Sequence, residues 1–146
     1  PILGINGRMD TIQAAILLEI LEVFSDEVHK RENLGQTYLE GLAHLEGLET
    51  PRIGEHNTSV YAQYTILAEQ REEIQNSLKD KDIPSVSYYT VPLHLQPVFK
   101  NLAHQVGDFP VAEKVANLCL SLPMSPYLTQ EDQAKVIDAI SRIEKS

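Results

Sequence analysis

Between Ile12 and Phe24 only Gln13, Glu19 and Glu22 interrupt a run of apolar residues that covers nearly the whole circumference of a helix. A helix apolar on all sides wants cover on all sides. The remainder of a 146-residue chain can hardly supply that cover, so the pattern predicts a missing domain or a second subunit against this helix. Asp10 stands where an N-cap is needed, and Gln13 is placed to reach back to it. From Ser25 the chain turns polar and is expected to be helical again, with Val28, Leu34, Tyr38, Leu39 and Leu42 as its buried stripe and Gly41 and Gly47 at a fraying end.

Residues 54–58 read as a loop. Val60, Ala62, Tyr64 and Ile66 then alternate with Tyr61, Gln63 and Thr65, the period of a strand. Ile74 and Leu78, four apart, predict a helix over 69–81. Val86, Tyr88 and Tyr89 favour an extended chain, and Pro92 turns Val91 away from the helical region, which predicts a strand ending in a loop. Two adjacent tyrosines on a strand point to opposite faces, so one of them could belong to a core. Further on, the pattern predicts a short helix over 95–102, a longer one over 110–118 and an extended piece over 121–123. A final amphipathic helix over 129–143 is capped by Thr129 with Asp132 three residues on, and its Ile137, Ile140 and the stem of Lys135 would cover a sheet. This order of elements predicts an α+β small domain over 48–146, preceded by a connector of loop and long helices over 1–47.

Composition narrows the partners. A net charge of −9 argues against nucleic acid and anionic membranes, which call for clustered Lys and Arg. No apolar run approaches a bilayer span and no secretory pattern opens the chain, so a soluble cytoplasmic protein is expected. The chain begins at Pro1 rather than Met and reads as a piece of something longer. The single cysteine, Cys119, lies in an apolar run and is expected to pack. His29, His44, His56, His94 and His104 show no ligand spacing, so no metal site is expected.

The stretch from Ile83 to Pro97 carries the candidate chemistry. Tyr88 and Tyr89 offer flat apolar faces and hydroxyls suited to a sugar or a nucleobase, and His94 adds a nitrogen that donates or accepts.

Five blocks along the chain carry a resemblance. They are Asn6-Gly7-Arg8-Met9-Asp10-Thr11-Ile12-Gln13-Ala14-Ala15, Tyr61-Ala62-Gln63-Tyr64, Tyr88-Tyr89-Thr90-Val91-Pro92-Leu93-His94-Leu95-Gln96-Pro97, Phe109-Pro110-Val111-Ala112-Glu113 and Leu120-Ser121-Leu122-Pro123-Met124. In this order they resemble the C-terminal part of the DegT/StrS-type sugar-nucleotide aminotransferases, essentially end to end. The resemblance implies a fold-type I enzyme that binds pyridoxal 5′-phosphate (PLP), works as a homodimer and transfers an amino group from glutamate to a nucleotide-linked keto sugar for glycan or surface-polysaccharide precursors. It makes Asn6 a ligand of the cofactor phosphate and Arg8 the arginine that reaches the neighbouring site to pair with an anionic part of the substrate. Tyr88 and Tyr89 fall on a pair, often His-Tyr in relatives, that touches the nucleotide-sugar. His94 and Gln96 are second-line substrate contacts.

No lysine of the chain sits in a context matching the family's Schiff-base lysine, so no catalytic residue is assigned. The fragment alone is expected to be inactive. The rival expectation is a stand-alone, non-catalytic interaction or regulatory module that keeps the small-domain fold.

Overall fold

A computed structural model describes residues 7–143. Asp10 caps the first helix, its Oδ1 accepting from the Gln13 amide at 2.8 Å. That helix, α1, runs unbroken over Thr11–Leu42. Neither glycine nor proline occurs between Asp10 and Leu34, and Asp26 and Lys30 pair one turn apart at 2.6 Å. The polar stretch after Ser25 therefore marks a change of surroundings along one connector helix, where two helices were expected. Its N-terminal half lies bare, with Ile12 76% exposed, and its C-terminal half packs through Leu34, Gly35, Tyr38 and Leu42.

The sheet has three antiparallel strands in the order β1 (Leu48–Glu49), β2 (Tyr64–Ala68) and β3 (Cys119–Leu122). Tyr64, Ile66 and Ala68 point to one face, where Tyr38 and Leu42 of α1 join Ile74 and Leu78 of α2 (Arg71–Lys79) and Val136 and Ile140 of α4 (Gln130–Ser141) in the core. The core draws in Tyr38, Leu42 and Leu45, all upstream of the expected boundary at residue 48. Two buried polar contacts fix the layers: the Tyr38 hydroxyl donates to the Pro123 carbonyl at 2.9 Å, and Gln133 Nε2 to the Leu34 carbonyl at 2.7 Å.

Four local expectations fail. The strand expected from Val60 begins only at Tyr64, because Tyr61 takes a left-handed backbone (φ 41°) and tucks its ring against Gly35 of α1. The tyrosine segment forms no strand beyond a bridge between Val86 and Ser121. Ser87 Oγ donates to the Cys119 carbonyl at 2.8 Å, taking the acceptor a longer ladder would use. On α4, Lys135 does not cover the sheet: it stands in solvent with Glu131 and Asp132, leaving that work to Val136, Ala139 and Ile140. The helix expected over 95–102 is instead a pair of tight 3₁₀ turns, Leu93–Leu95 and Pro97–Leu102. Helix α3 spans Pro110–Leu118, with Pro110 in the first turn where its missing N–H is not needed.

Candidate functional site

The face of the sheet turned away from the core carries Thr65 and Ser121, whose hydroxyls bond to each other at 2.8 Å. With Gln63 and Cys119 they floor an open cleft of about 990 Å³. One wall comes from the segment after the bridge at Val86: Tyr88, Tyr89 and then Val91, Pro92, Leu93 and Gln96. The opposite wall is α3 with Phe109 and Asp108 ahead of it. Released from a ladder, Tyr88 and Tyr89 need not alternate, and both rings line the cleft, their centroids 6.5 Å apart and tilted by 46°. Neither tyrosine is in the core; Tyr89 is 77% exposed.

The remaining predicted positions divide. Gln96 lines the cleft, and its amide donates to the Val91 carbonyl at 3.4 Å, spanning the turn that follows the tyrosines. His94 does not face the cleft. Its side chain is 8% exposed and Nε2 meets Glu113 Oε1 at 3.0 Å, behind the wall. Arg8 is exposed on the segment before α1 and does not line the cleft. Asn6 lies outside the described residues. Sequence reasoning did not single out Phe109, Gln63, Thr65 or Ser121 as site residues. The period-two alternation that put Tyr64 and Ile66 inward already set Gln63 and Thr65 on the other face, so that signal was present.

The lining decides what the cleft can take. Aromatic and aliphatic side chains dominate, and hydroxyls and amides supply neutral hydrogen bonds. Asp108 is the one charged side chain among the described lining residues. The Gln105 backbone N–H, and then His104, hold its carboxyl below the usual range, so it is ionised at neutral pH. With a fixed negative charge and no lysine or arginine in the lining, the cleft suits an uncharged ring or sugar face. A diphosphate needs cations elsewhere.

Covalent and metal chemistry have no seat among the described residues. Lys30, Lys81, Lys114 and Lys135 are paired to carboxylates at the surface, and Lys79 and Lys100 are exposed. An amine that forms a Schiff base needs desolvation beside its cofactor, which none of these has. No group of three or more His, Cys, Asp or Glu among the described residues could hold a metal ion. Cys119 is buried, as its apolar setting predicted. No helix of the described residues is long and apolar enough to cross a membrane.

The chain is similar to known proteins along most of its length. The model of the DegT/DnrJ/EryC1/StrS aminotransferase family matches residues 1–141. UDP-2-acetamido-2-deoxy-3-oxo-D-glucuronate aminotransferase of Pseudomonas aeruginosa is 43% identical over 125 residues, covering 86% of this chain and 34% of that protein. Among solved structures, a DegT DnrJ EryC1 StrS aminotransferase from Brucella abortus superposes with a TM-score of 0.87 at 41% identity, covering 99% of this chain and 38% of the other. Streptomyces venezuelae DesV, in complex with a ketimine intermediate, gives 0.89 at 33% identity, covering 95% and 38%. The chain thus spans a little over a third of the relatives it matches.

Proposed function

This chain belongs to the DegT/DnrJ/EryC1/StrS aminotransferase family, and on that premise we propose that it is the C-terminal part of a cytoplasmic enzyme that moves an amino group from glutamate to a nucleotide-linked keto sugar. The product would serve glycan or surface-polysaccharide synthesis. The match of residues 1–141 to this aminotransferase family carries the reading, and the largely uncharged lining of the tyrosine-edged cleft supports it. Pyridoxal 5′-phosphate is the cofactor of this family. The described lysines do not fit its covalent site, so no step of the transfer is assigned to them. In this reading the residues of this chain bind and orient. Asn6 donates to the cofactor phosphate, and Arg8 pairs with an anionic part of the substrate across a homodimer interface. Tyr88, Tyr89 and Gln96 receive the uncharged part of the nucleotide-sugar.

The test is the full-length enzyme with glutamate, PLP and a panel of UDP- and dTDP-linked keto sugars, following 2-oxoglutarate. Release of 2-oxoglutarate with at least one sugar is expected; none with any of them overturns the reading. Tyr89→Ala should weaken use of that sugar nucleotide by about 1–3 kcal/mol while leaving PLP occupancy intact. Loss of PLP with unchanged sugar affinity would remove Tyr89 from the substrate site. The lysines' exposure keeps a second reading in play, a non-catalytic module on the same fold. The upstream reading frame separates the two: a lysine-bearing PLP domain in frame supports the enzyme, and a start codon near Pro1 supports the module.

A further inference from the structure

Behind the cleft, Glu113 in the first turn of α3 gathers more donors than a helix start requires. Its carboxylate accepts from His94 Nε2 at 3.0 Å, from the Gly107 amide at 2.8 and 3.0 Å through both oxygens, and from the Phe109 amide at 3.3 Å. Gly107 adopts φ 97°, a conformation that costs a side-chain-bearing residue, so the loop is shaped to present that amide. Phe109 lies against the His94 ring at 4.8 Å and meets His104 edge-on at 5.0 Å. The side chains of His94 and Glu113 are only 8% and 15% exposed. Such a sheltered pair is a poor source of net stability, since desolvation offsets most of the attraction. What it does is geometric. His94 belongs to the 3₁₀ turn that follows the tyrosines, and Glu113 to the facing wall, so their bond ties the two sides of the cleft together.

We propose that His94 and Glu113 are a positioning pair that sets the separation of Tyr88 and Tyr89 from Phe109, and with it the fit of the uncharged part of the nucleotide-sugar. The proposal rests on the substrate reading above. Neither residue lines the cleft; they act through Leu93 and Phe109, which do. The imidazole donates through Nε2–H both as the neutral tautomer and as the cation, so the tie needs a donor at that point and not a charge.

The experiment uses the full-length holoenzyme with the keto-sugar nucleotide that the wild type turns over. His94→Ala and Glu113→Ala should each raise KM for that substrate about tenfold or more, with KM for glutamate, kcat and PLP occupancy little changed. His94→Gln, whose amide can donate from a similar reach, should restore most of the affinity. The double alanine variant should be no worse than the poorer single, as expected for two residues acting as one unit. Phe109→Leu, which leaves the pair in place, should raise the same KM and covers the case in which an alanine variant fails to fold. An unchanged KM in His94→Ala or in Phe109→Leu, or a rise for both substrates that His94→Gln does not relieve, overturns the proposal. Failure of the substrate reading is recognised separately, by a wild type that turns over no keto sugar. That result removes the proposed role too, while hydrogen exchange at the Gly107 and Phe109 amides, faster in His94→Ala, would still report the tie itself.

Discussion

Gly35 shows how much one absent side chain decides. It sits inside α1 with ordinary helical backbone, so its value is space: a Cβ there would lie 2.2 Å from Cε2 of the Tyr61 ring. That ring packs on Tyr64 at 5.3 Å, and its residue is held by Arg31 Nη1 to the Tyr61 carbonyl and by Ser59 to the Tyr61 amide. Gly35→Ala gains about 1 kcal/mol of helix propensity but must displace a ring with little freedom to move, at about 1–3 kcal/mol. The clash should win, and denaturant unfolding should show a net loss on the order of 1 kcal/mol, relieved when Tyr61→Ala is added. A stability gain would mean the ring swings clear. Gly41 makes the same point at the helix end: it was expected to mark that end, and α1 does stop one residue later at Leu42, but the space it leaves is taken by Ile137 of α4, whose Cδ1 would lie 2.8 Å from a Cβ there. Nothing local to Gly35 or Gly41 announces a partner that distant in sequence. Both were illegible until the fold brought Tyr61 and Ile137 to them.

Elements whose ends are written in capping chemistry were read well from sequence. Asp10 accepts from the Gln13 backbone amide, Pro110 stands in a first turn, and Thr129 accepts from the Asp132 amide, each as its side chain dictates. Elements set by tertiary competition were not. The 88–91 segment has strand composition, but its ladder is pre-empted by Ser87 on the Cys119 carbonyl, and that rearrangement lets both tyrosines reach one cleft. The cap on α4 is worth testing because that helix closes the core. Thr129 Oγ1 accepts from the Asp132 amide at 3.1 Å and donates to its carboxylate at 2.7 Å. Thr129→Ala should cost about 1 kcal/mol of stability, and Thr129→Ser should recover most of it. If alanine is neutral in thermal and denaturant unfolding, the packing of Val136, Ala139 and Ile140 holds this helix without its cap.

For the molecule as a whole, the pattern that spoke most plainly was the apolar surface from Ile12 to Phe24. In the fold it is uncovered, with Ile16, Leu18, Leu21 and Phe24 all more than half exposed. At about 25 cal/mol per Å² of apolar surface, covering even a few hundred Å² of it is worth several kcal/mol before the entropy of association is charged. These 146 residues produced alone should therefore self-associate through this half of α1, and sedimentation at several concentrations would show the mass rising. Leu17 and Leu21 lie one turn apart on that surface and take no part in the core cluster. Changing both to Glu should yield a monomer with unchanged helix content. If the double variant unfolds, those leucines support the fold in a way their exposure does not explain. If the unaltered chain stays monomeric with this helix ordered and protected from hydrogen exchange, the bare face needs no cover and the argument for a partner against it fails.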